Sequence, residues 1–465
     1  MDLQTGDMTT TPGEIGARLD RLPATRSIWK LVTLLSIGGF FEFYDLFLTG
    51  YVAPGLVKDG ILTPTTPGLF GTSGVASFVA AFFAGLFVGT IALSFVADRM
   101  GRRTIFTYSL LWYSASTFVM AFQHDAFGVN LWRFIAGVGV GVELVTIDTY
   151  LSELVPKHLR GRAFAFNQFI QFSVVPVVAL VAWLLVPIAP LGFSGWRWVV
   201  LLGSAGALVV WFIRRQVPES PRWLAAHGHM ADADRVMREL ETRVQAEYGG
   251  ALPKPLPPEP QVRRGSIAEI FAPPYQARTI MLVIFNLFQT VGFYGFANWV
   301  PTLLISNGIQ VTKSLEYTFI IAIAAPFGPL LGMFLADRVE RKWMIVAAAG
   351  TVAVTGLLFA QSTMAPVLIA LGIVLTLANN VMSFSFHAYQ AELYPTRIRA
   401  VAVGFVYSWS RLSVVFSAFV IAWFLAGFGT TGVFVFIAGS MLVVMLSIGA
   451  MGPLVRDLPL EAISH

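Results

Sequence analysis

The chain of 465 residues contains no cysteine. Disulfides and thiolate metal sites are therefore excluded, while the compartment stays open on that count. Charge is scarce too: Asp, Glu, Lys and Arg make up 12% of the chain, against about 25% in an ordinary soluble domain. Residues 1–26 hold no apolar core of the kind a signal peptide carries, so no cleaved leader is expected. No phosphate loop, nucleophile motif or metal-ligand spacing occurs, so an enzyme, a cofactor or a metal site has no support. What is abundant is apolar. Hydrophobic residues reach 56%, with a mean hydropathy of +0.71. The apolar runs are too long for core helices and lack the short alternation of a membrane barrel. An integral membrane protein built of helices follows.

A span needs about 20 apolar residues. Twelve candidates meet that length, near 31–56, 74–97, 104–122, 128–152, 163–187, 196–214, 278–304, 316–336, 343–362, 366–390, 400–425 and 432–452. The expected organisation is a tail over 1–28, a six-helix unit over 29–214, a polar linker with short helices over 215–277, a second six-helix unit over 278–453 and a tail over 454–465. Alternate loops are basic: Arg99, Arg102 and Arg103; Lys157, Arg160 and Arg162; Arg338, Arg341 and Lys342; Arg397 and Arg399. Basic loops face the cytoplasm. Both termini and the linker are then expected inside a plasma or bacterial inner membrane. The net charge of +5 reflects these loops rather than a nucleic-acid partner. The lipid bilayer, a small-molecule substrate and protons are the expected partners, with the chain a monomer.

The two halves repeat. "FVADRMGRR" begins at Phe95 and "FLADRVERK" at Phe334; "YLSELVPKHLRGR" begins at Tyr150 and "YQAELYPTRIRAV" at Tyr389. Both pairs are offset by 239 positions (334 − 95 and 389 − 150). Duplicated halves around a central pathway are a transporter architecture.

These motifs resemble the major facilitator superfamily over essentially the whole chain. "RFIAGVGVGVE", "YLSELVPKHLRGR" and "PESPRWL" look like its sugar-porter group. "GWRW" and "ELYPT" lean toward organic-ion transporters, and "RLDRLP" with "FYGFANWVPTLL" resembles bacterial metabolite:proton symporters, including niacin and aromatic-acid permeases. The resemblance implies an all-α fold of twelve transmembrane helices in two pseudo-symmetric six-helix bundles. Helix 7 lacks the "QQxSGxN" pattern of hexose porters, the C-terminus lacks "PETKG", and Ser94 and Glu340 stand where glycine is usual. Hexose is therefore disfavoured as substrate.

Glu42, Asp45, Glu143, Asp148 and Arg411 lie well inside the expected spans, with His387 a sixth candidate. A charge at the bilayer centre costs at least about 2.5–3.5 kcal/mol on insertion scales, so such groups face a cavity or a partner. Arg411 lies 12 residues beyond Arg399, roughly 18 Å along a helix and near the midplane. A guanidinium matches a carboxylate and repels a cation. In the resembling organic-ion transporters, arginine at this spacing after "ELYPT" marks anion carriers. The alternative is an Arg411–Glu143 pair that never meets substrate. Carboxylates shielded from water can load and release protons near neutral pH. Asp45 and Glu42, with Asp148 and His387 as a second pair 239 apart, are the proton-coupling candidates. Glu143 follows "GVGVGV", which permits close helix packing. Glu143, Gln168, Gln171, Asn286, Gln289, Tyr294, Asn298, Asn379 and Asn380 are candidates to line a substrate cavity, or else to bond between helices.

Acids and bases recur at the basic loops of both halves: Asp98, Arg99 and Arg102 with Asp337, Arg338 and Arg341; Glu153 and Arg160 with Glu392 and Arg399. Ion pairs across the two halves that close the inner mouth when the carrier faces outward are expected, joined by Glu219 and Arg222 of "PESPRWL"; the alternative is topology alone, with positive loops inside and no gating. The expected function is a proton-coupled symporter of a small organic anion, with an aromatic or heteroaromatic carboxylate as the expected class, drawing on the proton gradient and no cofactor. A sugar or polyol porter, a drug or cation exporter, and a non-transporting ligand sensor are the alternatives.

Overall fold

The computed structural model describes residues 11–68, 73–92, 99–255, 257, 266–336 and 338–455. Asp98 and Asp337 lie outside them. Regular structure among the described residues is helical, with one isolated β-bridge between Pro67 and Ser73. The amino half runs α1 (Pro12–Asp20), α2 (Arg26–Lys58), α3 (Gly74–Ala92), α4 (Arg102–Met120), α5 (Ala126–Leu154), α6 (Arg160–Leu185), α7 (Gly195–Ser204) and α8 (Gly206–Gln216). Two linker helices follow, α9 (Pro221–Ala226) and α10 (Met230–Tyr248). The carboxyl half runs α11 (Tyr275–Ala297), α12 (Val300–Ser306), α13 (Val311–Ala322), α14 (Phe327–Ala336), α15 (Arg341–Gln361), α16 (Ala365–Glu392) and α17 (Thr396–Met451).

Nine helical stretches among the described residues are long and apolar enough to cross a membrane. Three features separate this number from the twelve expected spans. The third expected span, α4, carries Arg102, Arg103 and many hydroxyls, which lower its hydropathy. The sixth is divided between α7 and α8 at Ala205. The eleventh and twelfth are joined in α17, which reverses at Gly429 with φ 65°, a conformation open to glycine.

Packing explains the glycine spacing in "GVGVGV". Backbones of α3 and α5 meet directly: a Cβ at Gly137 would stand 2.2 Å from the Phe82 carbonyl oxygen, and one at Gly141 2.3 Å from that of Leu86. Such contacts replace the missing hydrophobic drive between helices in lipid. Gly137→Ala should therefore lower the detergent melting temperature by several degrees, whereas Gly404→Ala, with nothing within 4 Å, should leave it unchanged in the same thermal-shift assay.

The duplication is visible in side-chain bonds at the basic end. Arg102 meets Glu153 at 3.1 Å, and Arg341 meets Glu392 at 3.2 Å. Arg160 Nε donates to the Val155 carbonyl at 3.3 Å, and Arg399 Nε to that of Tyr394 at 3.2 Å. Each pair repeats at the 239 offset. Arg102–Glu153 and Arg341–Glu392 each close within a half, because each acid ends the helix packed beside its arginine. Other ion pairs at this end tie the amino-terminal tail to the linker, Arg18 to Asp234 and Asp20 to Arg222, and the linker to the carboxyl half, Glu269 to Arg397.

Helix α1 is tied to the linker. Ile15, Leu19 and Leu22 are buried, as are Ala233, Met237, Leu240 and Val244 of α10. Arg18 bridges Asp234 at 2.6 Å and Glu241 at 2.7 Å, and Arg21 adds a second bond to Glu241. Asp20 accepts from Arg222 at 2.7 Å and lies 3.8 Å from Arg160. The bond from Arg18 holds the Asp234 carboxyl below its usual range. A depressed carboxyl stabilises the fold above the unfolded Asp value, about 3.9, and that contribution is lost as pH falls through the lower folded value. Hydrogen exchange in residues 12–20, corrected for intrinsic rate, should rise below about pH 4. In Arg18→Ala it should be raised already at neutral pH.

Candidate functional site

Asp45 and Glu42 share the face of α2 that turns away from lipid, and both are buried. Their surroundings differ. Asp45 is enclosed within the amino half. Its Oδ2 accepts from Arg133 Nη1 of α5 at 2.9 Å, and its Oδ1 from the Thr117 hydroxyl of α4 at 2.9 Å. Arg133 also donates to the Asp45 carbonyl and the Thr49 hydroxyl, and its guanidinium lies 4.0 Å from the centre of the Phe82 ring. Asp45 is thus held in a bonded ion pair rather than turned toward a chamber between the halves. Arg133 was missed as a site residue. It lies inside the span expected at 128–152, within "RFIAGVGVGVE", so its position was a usable signal; its partner, 88 positions away, was not.

Glu42 has no hydrogen-bond partner on either carboxylate oxygen. Glu143 is equally buried; Ser109 lies 3.5 Å from its Oε2, and its Oε1 has no partner. Glu42 feels the charges of Asp148 and Arg411, and Glu143 that of Glu42. The Tyr113 hydroxyl, also without a partner, lies within electrostatic reach of Glu143, Glu42 and Asp45. Buried polar atoms without partners are rare and mark places where a water, ion or ligand belongs.

Arg411 lies on α17 at the seam between the halves and is buried. Nη1 donates to the Tyr294 hydroxyl of α11 and Nη2 to the Tyr407 hydroxyl, each at 3.0 Å, and the guanidinium lies 4.7 Å from the centre of the Tyr407 ring. Among the described residues it has no carboxylate within ion-pair distance, so the Arg411–Glu143 pairing weighed from the sequence does not form. The Tyr294 ring packs on Phe83 of α3 in the other half, 4.7 Å between centroids. His387 lies 5.2 Å from the Tyr407 ring, with Gln390 3.4 Å from its Nδ1. Asp148, its counterpart in the repeat, also acts electrostatically on Tyr407. His387 thus lies beside the Tyr407 ring that Arg411 bonds, and Asp148 lies within electrostatic reach of the same ring.

Asp148 is reached by solvent although it lies six residues inside the Leu154 end of α5, roughly 9 Å by helix rise. The opposite end of the bundle is shut. A Cβ at Gly50 would lie 2.6 Å from the Asn298 carbonyl oxygen, and Trp183 stacks on Phe319 at 5.7 Å. The space beside Asp148 and Arg411 therefore opens toward the basic end. Nearer the shut end, a small cleft is lined by Phe47, Tyr51, Phe172, Phe293, Asn379 and Asn380, among others.

The amides divide. Asn286 and Asn380 donate to backbone carbonyls of Leu282 and Ala325, each at 2.8 Å, which is a packing role. Asn298 is buried with both amide atoms unpartnered, as is Asn167, which the sequence did not single out. Gln171 lies against Gly39 of α2; Gln289 is buried and Gln168 half-buried. Of the expected gating residues, Arg99 and Arg338 are exposed, and Arg338 lies 4.1 Å from the centre of the Phe334 ring. Glu219 accepts from the backbone amides of Arg102 and Arg103, capping α4.

Long apolar helices in two halves that share motif contacts, with ionisable groups gathered where the halves meet, define a multi-pass membrane carrier of major facilitator fold. Residues 31–465 match the model of the sugar (and other) transporter family, and the chain belongs to that family. It is 32% identical over 441 residues to a putative metabolite transport protein, YyaJ, of Bacillus subtilis, covering 94% of each chain. It is 28% identical over 400 residues to the niacin transporter NiaP of Acinetobacter baylyi, covering 86% of this chain and 88% of that one. Among solved structures, the inward-open xylose transporter XylE of E. coli superposes with a TM-score of 0.72 at 20% identity, covering 94% of this chain and 99% of that one. The relatives are carriers, and the chain is a transporter rather than an enzyme.

Proposed function

We propose that this transporter is a proton-coupled symporter of a small organic anion, an aromatic or heteroaromatic carboxylate, working by alternating access. The observation that carries the reading is Arg411: a buried guanidinium at the seam, held by two neutral hydroxyls and by no described carboxylate. A carboxylate would complete its charge balance through a two-point, charge-assisted contact. The likeness to a niacin transporter supports a ring-bearing acid. Protons ride on the acid cluster beside Arg411, namely Glu42, Glu143 and Asp148, while Asp45 takes part when Arg133 releases it. Protonation alters the relative free energies of the two access states and so couples the fluxes. The basic end, with both termini, faces the cytoplasm.

A thermal-shift screen of the purified protein tests the substrate class. Nicotinate and benzoate should raise the melting temperature; xylose and organic cations should not. Stabilisation by xylose alone would favour the sugar-porter reading instead.

A further inference from the structure

The two hydroxyls on Arg411 differ in what else they touch. Tyr407 lies four residues away on the same helix, and its ring neighbours, Phe386 and His387, belong to the same half. Tyr294 lies on α11, and its ring crosses to Phe83 of the amino half. The residue before it, Phe293, packs on Tyr294 at 4.9 Å and reaches Phe172 of α6 at 6.4 Å. Consecutive residues of α11 thus each touch an aromatic ring of the amino half, and one of them is bonded to Arg411.

A phenol is a neutral acceptor. A carboxylate adds a full opposite charge, and its two oxygens fit the planar fork of the guanidinium. A carboxylate arriving at Arg411 therefore competes for the nitrogens that hold the tyrosines. Tyr407 would lose a bond within its own half. Tyr294 would lose the restraint that holds its ring against Phe83.

We propose that Tyr294 is a positioning residue that links the inter-half aromatic contact to the occupancy of Arg411. With the site empty, Arg411 holds the Tyr294 ring on Phe83 and shifts the balance toward the state in which the end opposite the basic loops is shut. With a carboxylate bound, the ring is released and that end can part. This rests on the organic-anion reading above and adds the element through which the anion acts on the halves.

The native chain has no cysteine, so spin labels can be placed directly. Leu191, between α6 and α7, and Met364, between α15 and α16, are exposed at the shut end, one on each half. Leu191→Cys with Met364→Cys reports the opening by electron–electron distance measurement. Calorimetry on the same samples reports binding. Nicotinate and benzoate are the probes.

With wild-type Tyr294, either acid should move the distance distribution toward longer separations. Tyr407→Phe should keep that response. Tyr294→Phe should bind the acids at least as tightly, because a competing acceptor is gone, yet show the longer distances already without ligand and little further change. An unaltered ligand response in Tyr294→Phe, an equal loss of response in Tyr407→Phe, or binding without any change in distance in the parent would each overturn the linkage. Loss of binding in Tyr294→Phe would also overturn it, by placing the hydroxyl in the anion contact itself. If the parent binds neither acid, the organic-anion reading falls and this inference with it.

Discussion

Arg411→Ala should cost about 100-fold or more in apparent affinity for a transported carboxylate, measured as half-saturation of uptake into proteoliposomes. The substitution removes two hydrogen bonds to a charged group, each worth about 1.5–3 kcal/mol. Arg411→Lys should recover only part of it, since a point charge cannot reproduce the planar fork. The protein should still fold, because Arg411 is held by two tyrosine hydroxyls and not by a buried carboxylate. Unchanged half-saturation in Arg411→Ala would remove this residue from the site.

The second large effect belongs to Asp45 and Arg133. Both are essentially inaccessible to solvent, 1% and 0% exposed. Removing one partner of a buried ion pair strands the other charge, at a cost of about 3–5 kcal/mol. Arg133→Ala should therefore produce little folded protein. The double change Asp45→Asn with Arg133→Gln should recover a good part of the yield by keeping polar groups without net charge. Glu42 stands in contrast, since neither carboxylate oxygen has a partner to strand. Glu42→Gln should fold normally, lose accumulation driven by a proton gradient and retain counterflow of labelled substrate. Fluorescence size-exclusion profiles separate the folding effects, and the two uptake modes separate coupling from binding. A double variant no better folded than Arg133→Ala would contradict the pairing.

These contrasts mark what the sequence could and could not convey. Apolar run length sets the span positions, and a repeated motif at one offset announces duplicated halves. Both properties are local or periodic, so they can be read along the chain. The glycine spacing in α5 is legible for the same reason, because one helix face is defined by its own sequence. Partner choice is not local. Asp45 was expected to face a chamber and instead meets Arg133 across three helices' worth of chain. That Arg102 and Arg341 each meet an acid on the adjacent helix of their own half follows from how those helices pack, not from any local run of sequence. Arg197 shows the same limit: it is buried and donates to the Ala121 carbonyl at 2.6 Å, although "GWRW" reads along the chain only as a motif. The gathering of Arg411, Tyr294, Tyr407, His387 and Asp148 at one place depends on how two bundles dock, which no single helix encodes.

In the proposed cycle a carboxylate travels with a proton through the seam at Arg411. The most direct measurement is uptake of labelled nicotinate and benzoate by proteoliposomes holding the wild-type protein, with an imposed inward proton gradient. Accumulation above the external concentration, collapsing when a protonophore is added and absent with Arg411→Ala, is the predicted result. Uptake that only equilibrates, persists with the protonophore, or runs for xylose and not for either acid would contradict it.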